Sequence, residues 1–524
     1  MPKITIDQHE VEVAPGATIL EAARQLGIYI PTLCYLDGCK ASTSCLVCMV
    51  RNVDTGRLVP SCATVAVEGM NIESETEEIF AVRKSALELL LSDHLGDCLA
   101  PCYFACPARM DIPTMLRQIK SGELGEAIAT IKRDIALPAI LGRICPAPCE
   151  KACRRRGADE AVTICGLKRF VADVDLAQPA PYIPAKQPSS GKRVGIVGAG
   201  PTGLSAAYYL LQQGHACTLF DENAQAGGRL RTQTTDETLP REVLETEIHQ
   251  VITQGAELCL DIRVEDAAAM ADLRNEFDAV LIAAGATGKD QASQWGLEIG
   301  PRGIQVARAT YEASVTGTFA AGNAIRGTGM VVRSVADGKE AAVAIGQFLA
   351  GQNVTGPNSP FSTKIGRLSD DELAQFVTMS DGSPREEPSP RLPAGYEAAG
   401  AATQAARCLR CDCRALDTCK LRIESARHGA NPRRYQTQRR RFEQDVHNHD
   451  VVFEPGKCID CGLCVEIASL AGESLGLTFV GRGFDVRVGV PLGGSLDAAL
   501  KNAAIECADA CPTAALSRKD KNAS

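Results

Sequence analysis

The residues with the greatest capacity for chemistry in this chain are its 23 cysteines. Of these, 21 fall in clusters, and only Cys217 and Cys259 stand alone, in apolar segments where we expect core residues. No N-terminal apolar segment resembles a signal peptide, so we expect a cytoplasmic protein. In a reducing compartment, clustered cysteines indicate metal ligands rather than disulfides.

The first cluster has a spacing that suits a metal site. It consists of Cys34, Cys45, Cys48 and Cys62, separated by 10, 2 and 13 residues. Four thiolates from a long loop and a nearby strand favour a [2Fe–2S] cluster, while zinc is the alternative because four cysteines also form structural zinc sites. Cys39 makes C-x4-C with Cys34, but the next gap is five residues. We expect Cys39 to be a spare thiol near the cluster.

Seven cysteines in two groups follow, one ligand short of two [4Fe–4S] clusters. They are Cys98, Cys102, Cys106, Cys145, Cys149, Cys153 and Cys165. His94 lies four residues before Cys98 and would supply the eighth donor. A solvated histidine is the alternative interpretation of His94.

The last part of the chain carries two further groups. Cys408, Cys411, Cys413 and Cys419 lie within twelve residues, which favours [4Fe–4S] with zinc as the alternative.

The final group has a ferredoxin-like pattern. Cys458, Cys461 and Cys464 are separated by two residues each, and Cys511 precedes Pro512. In two-cluster ferredoxins the cysteine before proline closes a cluster begun by a triplet. We therefore expect Cys511 to complete this set, and Cys507 to be a relic of a lost second cluster.

A glycine-rich turn predicts a dinucleotide site. The apolar run 194–197 precedes Gly198-Ala199-Gly200-Pro201-Thr202-Gly203, and an Ala- and Leu-rich helix pattern follows. In this G-x-G-x-x-G pattern the first glycine allows the tight turn, the second admits a pyrophosphate and the third permits close helix–strand packing. A second strand ends at Asp221, close to the position of a ribose-binding acid.

A chain of 524 residues is too long to fold around a single hydrophobic core. Several domains must therefore position these groups. An alternating N-terminal segment predicts a hairpin, and residues 76–96 an amphipathic helix. The basic stretch 421–442 is expected to be a solvated face, with a docking surface for an acidic partner as the alternative. The predicted domains are 1–75, 76–191, 192–352, 353–448 and 449–524.

Charge and hydropathy exclude some functions. The net charge of −9 does not favour binding to nucleic acid or to an anionic membrane. No run of about 18 apolar residues is present that could span a bilayer.

The motif GxGPxGL, the acid after the second strand and the later FAAGN segment resemble the FAD-binding half of glutamate synthase small-subunit-like flavoproteins. In that family the later segment usually reads FAxGD, whereas here Asn323 replaces the acid and can hydrogen-bond a hydroxyl without charge. The resemblance implies FAD. Its implied contacts are Gly198, Gly200, Pro201, Gly203, Asp221, Gly228, Arg229, Gly285, Gly322 and Asn323.

Two further resemblances concern the clusters. Segments IPTLCY, CLVCMV and PSCAT, together with the H-x3-C step, are similar to the large iron–sulfur subunit of complex I. The stretch through GRICPAPCEKACRR resembles the two-cluster helical domain of the glutamate synthase family, where ligand sets interleave. The resemblance implies one set of His94, Cys98, Cys102 and Cys153 and another of Cys106, Cys145, Cys149 and Cys165. Cys165 would replace the Gln or Glu that the family often uses near the position of Lys168.

These resemblances imply a multidomain α+β and α/β fold. Its parts would be a β-grasp ferredoxin, a helical domain with two clusters, a Rossmann-like FAD domain and a C-terminal ferredoxin-like domain. They would hold FAD, one [2Fe–2S] and up to four [4Fe–4S] clusters.

Family members that oxidise NAD(P)H insert a second Rossmann unit between the two FAD-binding segments. Here only residues 286–318, 33 in number, lie between them, and no second G-x-G-x-x-G occurs. A nucleotide-binding domain needs on the order of 100 residues. We therefore expect an electron-transfer subunit that works with a diaphorase-like NADH- and FMN-binding subunit and a second redox subunit. The alternatives are a stand-alone NAD(P)H oxidoreductase and a non-catalytic zinc-rich scaffold.

Overall fold

The computed structural model describes residues 1–392, 394–435 and 438–519. The first of two compact units comprises Met1–Ala100, Pro360–Met379 and Arg410–Ser524, and the second comprises Pro101–Ser359 and Ser380–Leu409. The predicted segments 76–191 and 353–448 therefore each contribute residues to both units. Among the described residues, no helix is both long and apolar enough to cross a membrane.

The N-terminal part of the first unit is a mixed sheet with one helix against it. Its elements are β1 (Lys3–Ile6), β2 (His9–Glu12), α1 (Ile19–Gln25), β3 (Met49–Asn52), β4 (Arg57–Pro60) and β5 (Asn71–Glu73). The strand order is β2-β1-β5-β3-β4, with β1 and β5 parallel. The alternating segment forms the expected hairpin, which pairs Lys3 with Glu12. Thr18 and Glu21 form a capping box that fixes the start of α1.

The long helix α2 (Glu77–Ser92) matches the predicted amphipathic segment. Thr76 caps it by accepting a hydrogen bond from the Ile79 backbone N–H. Ile79, Leu87 and Leu91 face the core. The end of the helix thereby delivers the chain to His94.

Six short helices form the all-helical part of the second unit. They are α3 (Pro101–Ala105), α4 (Ile112–Lys120), α5 (Leu124–Asp134), α6 (Pro138–Ile144), α7 (Pro148–Lys151) and α8 (Ile164–Leu176). The helices α6 and α8 pack against each other, and both flank the predicted cluster cysteines.

A five-stranded parallel sheet forms the rest of the second unit's core. Its region contains β6 (Arg193–Val197), α9 (Pro201–Gln212), β7 (Ala216–Phe220), α10 (Arg229–Thr232), α11 (Arg241–Ile252), β8 (Ala256–Cys259), α12 (Ala267–Glu276), β9 (Ala279–Ile282), α13 (Lys289–Gln294), β10 (Ile299–Gly300), β11 (Gly303–Ile304), β12 (Thr318–Ala320) and α14 (Val331–Leu349). The order is β12-β9-β6-β7-β8, with every pair parallel. The isolated cysteines Cys217 and Cys259 lie on β7 and β8. Cys217 is buried as expected, whereas Cys259, also predicted to be a core residue, is only half-buried.

The remaining elements are short and belong mostly to the first unit. They are α15 (Asp370–Val377), α16 (Ala398–Ala406), α17 (Lys420–Arg427), β13 (Val451–Phe453), α18 (Leu463–Leu470), β14 (Thr478–Val480), β15 (Arg487–Gly489), α19 (Leu496–Ala499), α20 (Ala504–Ala510) and β16 (Leu516–Arg518). Strand β13 pairs with β16, and β14 pairs with β15, both antiparallel. Single 3-10 turns span Arg154–Gly157, Gly322–Ile325, Pro455–Lys457, Gly483–Asp485 and Pro491–Gly493.

Arginines of the basic stretch form ion pairs within the first unit. Arg434 lies 2.9 Å from the Glu88 carboxylate, and Arg439 lies 2.7 Å from that of Glu372. Hydrogen bonding to Arg439 lowers the pKa of Glu372 to about 2. These arginines therefore tie the stretch to α2 and α15.

One buried carboxylate links the helical part of the second unit to its parallel sheet. Glu247 on α11 accepts hydrogen bonds from the backbone N–H groups of Ala139 and Ile140, at 2.7 and 2.8 Å. Burial raises the pKa of Glu247 to about 7, although both N–H donors act in the opposite direction. The two bonds satisfy the start of α6, whose end leads to Cys145.

Replacing Glu247 by alanine should loosen α6 locally. The variant leaves two buried N–H groups without an acceptor, and each such loss costs about 1–3 kcal/mol. We expect faster amide hydrogen exchange in peptides that cover 138–144, measured by mass spectrometry. Glu242→Ala, on the exposed side of the same helix, is the matched control. Unchanged exchange in Glu247→Ala would show that the cap contributes nothing.

Candidate functional site: buried thiol groups and a glycine-lined cavity

The four N-terminal cysteines come together as two close pairs. The Sγ atoms of Cys34 and Cys45 lie 3.3 Å apart, as do those of Cys48 and Cys62. All four side chains are buried. Two irons that each take two thiolates would need such a pair-wise arrangement.

Each pair favours one ionised sulfur. A hydrogen bond from the Cys45 thiol lowers the pKa of Cys34 to about 5, and one from Cys62 lowers the pKa of Cys48 to about 7. Thiolates are the form that binds metal. Cys39 instead packs against the C-terminal core of the same unit, where burial and then Glu466 raise its pKa.

A second thiol group lies in the helical part of the second unit. The Cys165 thiol hydrogen-bonds to Cys145 and lowers the pKa of Cys145 to about 6. Burial, and then the thiol of Cys106, raise the pKa of Cys149. The structure thus brings together the predicted set of Cys106, Cys145, Cys149 and Cys165.

Lys168 is buried against this same group. Burial acts to lower the pKa of its ammonium, but the four surrounding thiols raise it above its ordinary value. Lys168, whose ammonium cannot bind iron, is therefore a cation beside all four predicted ligands.

The C-terminal set is also assembled. Burial raises the pKa of Cys464 well above its ordinary value, and the thiols of Cys461 and Cys511 raise it further. Cys458 interacts electrostatically with Cys464 and Cys461. Backbone N–H groups of Asp460 and Leu516 donate to the sulfurs of Cys458 and Cys511, both at 3.4 Å. Cys507 is fully buried beside this set, and its thiol lies 3.6 Å from the Cys464 carbonyl oxygen.

The other predicted ligands divide between the two compact units. His94, Cys98, Cys411, Cys413 and Cys419 belong to the first unit. Cys102, Cys153 and Cys408 belong to the second, where they pack against its hydrophobic core. Within the part of the chain that is described, no three His, Cys, Asp or Glu side chains are arranged to hold a single metal ion.

The glycine-rich turn joins β6 to α9 as predicted. Gly198 has φ +107°, a conformation that favours glycine, and a Cβ atom on Gly203 would collide with the Gly198 carbonyl oxygen. A Cβ atom on Gly200 would meet nothing within 4 Å. Gly200 therefore faces open space at the start of the helix, as a phosphate-binding turn requires.

That open space is a cavity of about 300 Å³ in the second unit. The structure places six of the ten predicted contacts in its lining, namely Gly198, Gly200, Asp221, Gly228, Arg229 and Gly285. The Asp221 carboxylate also accepts a hydrogen bond from the Ala199 backbone N–H at 2.7 Å. This bond ties the end of β7 to the glycine-rich turn.

The other four predicted contacts lie outside the lining of this cavity. Pro201 is the first residue of α9, and Gly203 packs against the turn. A Cβ atom on Gly322 would collide with the Thr202 hydroxyl oxygen, so the FAAGN turn closely approaches α9. Asn323 follows in the same 3-10 turn, and its backbone carbonyl accepts a hydrogen bond from Gly327.

Sequence analysis missed several lining residues. Trp295, the single tryptophan, is buried in the wall and donates from Nε1 to the Val264 carbonyl oxygen at 3.0 Å. Glu222 and Arg263 also line the cavity and lie 3.6 Å apart. Glu222 directly follows the predicted contact Asp221, so its position could have been found. No sequence motif indicated Arg263 or Trp295.

Three family models match separate parts of the chain. Residues 2–77 match a 2Fe-2S iron-sulfur cluster binding domain, and residues 95–180 match dihydropyrimidine dehydrogenase domain II with its 4Fe-4S cluster. Residues 196–258 match an NAD(P)-binding Rossmann-like domain. The chain is therefore multidomain, with 2Fe–2S, 4Fe–4S and Rossmann-like parts.

Curated relatives are oxidoreductase subunits. The chain is 40% identical over 207 residues to the NADP(+)-dependent formate dehydrogenase subunit beta of Moorella thermoacetica, covering 36% of this chain and 29% of that protein. It is 36% identical over 189 residues to the NADPH-Fe(3+) oxidoreductase subunit beta of Geobacter sulfurreducens, covering 36% and 28%. It is 34% identical over 211 residues to the NAD-dependent dihydropyrimidine dehydrogenase subunit PreT of Salmonella typhimurium, covering 40% and 49%.

The chain thus spans less than half the length of each of these relatives. The predicted resemblance to a glutamate-synthase-small-subunit-like iron–sulfur oxidoreductase with a 2Fe–2S domain is confirmed. The relatives' names are all those of oxidoreductase subunits, which agrees with the predicted class of protein.

The paired geometry predicts which N-terminal thiols are essential for cluster binding. Cys45→Ala removes one member of a 3.3 Å pair, so we expect the protein to lose about two iron atoms per chain and the [2Fe–2S] signal. Cys39→Ala is the matched control, because Cys39 packs against a different core. Iron analysis and EPR of anaerobically purified protein measure both. Equal loss in the two variants would contradict this assignment.

Proposed function

We propose that the chain is the FAD- and iron–sulfur-containing electron-transfer subunit of a larger oxidoreductase complex. It links a diaphorase-like NADH- and FMN-binding subunit to a second redox subunit of formate dehydrogenase, hydrogenase, aldehyde oxidoreductase or electron-bifurcating type. The observation that carries this proposal is a dinucleotide-type cavity in a chain that also groups buried thiols.

The cavity suits the pyrophosphate and ribose of FAD. Its turn leaves the space beside Gly200 open. Asp221 lines the wall at the position of a ribose-binding acid, and its carboxylate also accepts from the Ala199 N–H and from two N–H groups of Asn223. Arg229 adds positive charge for a phosphate, whereas Arg263 lies 3.6 Å from the Glu222 carboxylate. When bound, a flavin exchanges two electrons or one, whereas an iron–sulfur cluster exchanges one.

The short described segment between two strands of the parallel sheet supports the proposal that the chain has no nicotinamide-binding domain of its own. Strands β9 and β12, which would flank a second nucleotide domain, pair directly, with Val280 opposite Thr318. Between them lie only α13 and the short β10–β11 hairpin among the described elements. A nucleotide domain needs on the order of 100 residues.

The finer fold assignment is part of this proposal. The mixed N-terminal sheet with α1 would be a β-grasp ferredoxin domain for the [2Fe–2S] cluster. The helical segment would hold two [4Fe–4S] clusters, and the C-terminal segment and its preceding arm would each hold one. A cytoplasmic location agrees with 23 cysteines that are all free thiols.

Neighbouring thiol groups in the first unit support a conducting role. The pKa of Cys461 is raised to about 12 by burial first, and then by the thiols of Cys511 and Cys34. The pKa of Cys419 is raised to about 12 by burial, and Cys511 is among the thiols that raise it further. Cys34, Cys419 and Cys461 also belong to one buried cluster of side chains, so these thiols are neighbours.

One alternative function has support from the comparisons. A stand-alone NAD(P)H oxidoreductase agrees with the NAD(P)-binding description of residues 196–258 and with the relatives' names. A zinc-rich scaffold has no such support, and analysis of iron and acid-labile sulfide separates it from both. Reduction kinetics separate the other two.

Gly200 is the position at which flavin binding can be tested. Gly200→Glu places a carboxylate in the open space of the turn, where its volume and charge oppose a pyrophosphate. We expect flavin affinity to fall at least about tenfold, or about 1.4 kcal/mol, while iron content is kept. Gly200→Ala, whose Cβ meets nothing, is the control and should retain FAD. Stoichiometric FAD in Gly200→Glu would place the dinucleotide elsewhere.

The rate at which nicotinamide nucleotides reduce the flavin tests which molecule is its electron donor. Hydride transfer requires donor and acceptor atoms about 3–3.5 Å apart, and a 1 Å misplacement costs on the order of 100-fold. The isolated chain should therefore be reduced readily by dithionite but about 100-fold more slowly by NADH or NADPH than with its diaphorase partner present. Stopped-flow spectroscopy of the purified chain measures this. Rapid, saturable flavin bleaching by either nucleotide without a partner would favour the stand-alone enzyme.

A further inference from the structure

Two stretches distant in sequence, 94–98 and 413–419, lie against each other within the first unit. The Cys413 backbone N–H donates to the Cys98 carbonyl oxygen at 3.1 Å. The Leu95 N–H donates to the Gly456 carbonyl oxygen at 2.6 Å. The loop that carries His94 and Cys98 is therefore held at both ends.

Three thiols share the buried region that this contact creates. Cys98, Cys413 and Cys419 are only 5–6% exposed. Backbone N–H groups of Thr363 and Arg422 approach the sulfurs of Cys98 and Cys419, at 3.5 and 3.4 Å. The Cys98 thiol is close enough to both Cys413 and Cys419 to interact with each of them electrostatically. Hydrogen bonds to sulfur are typical of thiolates that ligate clusters.

His94 adds a nitrogen donor to the same region. Its Nδ1 atom is buried and has no hydrogen-bond partner among the described residues. The Lys457 side chain lies next to this ring, since a Cβ atom on Gly96 would be 2.9 Å from Lys457 Cε and 3.5 Å from His94 Nε2. Lys457 also interacts with Cys413, which places His94 and Cys413 around one ammonium. A buried ring nitrogen without a partner requires an explanation, and a metal ligand is one.

We propose that His94, Cys98, Cys413 and Cys419 form one ligand set for a [4Fe–4S] cluster. This set differs from the family-based expectation, which joins His94 and Cys98 to Cys102 and Cys153. It also replaces the separate cluster of the arm, because it takes Cys413 and Cys419 from the group of Cys408, Cys411, Cys413 and Cys419. All four proposed donors belong to the first unit, whereas Cys102 and Cys153 pack on the core of the second. The donors of a cubane surround four irons, so they need not converge on one point as ligands of a single ion do. The inference rests on the proposed function, because it requires that the chain carries such clusters.

Paired cysteine variants test the grouping. Three variants of the full chain are purified anaerobically, reduced with dithionite and examined by EPR, namely Cys98→Ala, Cys419→Ala and Cys153→Ala. We expect Cys98→Ala and Cys419→Ala to remove the same signal with a loss of about four irons, and Cys153→Ala to leave that signal in place. If Cys98→Ala and Cys153→Ala remove one shared signal and Cys419→Ala another, the set is wrong.

The histidine gives a second readout that does not depend on losing a cluster. In protein labelled with 15N-histidine, pulsed EPR should show a nitrogen coupling on the signal that Cys419→Ala removes. His94→Cys should keep that cluster and lose the coupling. A coupling that persists in His94→Cys, or is absent from that signal, overturns the set. Absence of iron and sulfide from the wild-type chain would instead contradict the proposed function itself.

Discussion

Burying ionisable sulfur is the constraint on which the rest of this structure depends. A buried charge costs several kcal/mol unless it is paired or hydrogen-bonded. The chain offsets that cost locally, with thiol pairs 3.3 Å apart at Cys34 and Cys48 and with backbone N–H donors at Cys419 and Cys511. Because those donors are backbone groups, the thiols are held in place only when the surrounding loops are fixed.

Short helices and caps fix those loops. The end of α2 carries the chain to His94, and α6 leads directly to Cys145. The start of α6 is held by Glu247, which lies on a helix of the parallel-sheet region. Within the second unit, the packing around the glycine-lined cavity and the position of one thiol group are therefore mechanically connected. Such a connection suits a protein in which a flavin and a cluster exchange electrons, because fixed positions keep the redox groups at a constant separation.

Local patterns predicted much of this arrangement, and tertiary contacts supplied the rest. The alternating hairpin, α2, the run 194–197 and the glycine-rich turn depend on neighbouring residues, so their sequence sufficed to place them. The contact between Cys413 and Cys98 joins residues more than 300 positions apart, and no spacing rule encodes it. The same reason explains why Trp295 and Arg263 were missed in the cavity wall. The arginines near residue 434 were expected to be solvated, because their acidic partners lie on the distant elements α2 and α15 and could not be recognised from the sequence.

Two buried lysines show how the chain accommodates negative clusters. Lys168 faces the thiols of Cys106, Cys145, Cys149 and Cys165, which raise its pKa against the effect of burial. Lys457 is equally buried, pairs with Glu454 at 2.5 Å and lies beside Cys413. A buried ammonium beside thiols stabilises their ionised form, which is the form that would bind a metal. Lys168 shares its ammonium with no carboxylate among the contacts that set its pKa, whereas Lys457 is partly neutralised by Glu454. The two lysines therefore act unequally: the charge of Lys168 is directed at the thiols of the Cys106 group, whereas part of the Lys457 charge is taken up by Glu454.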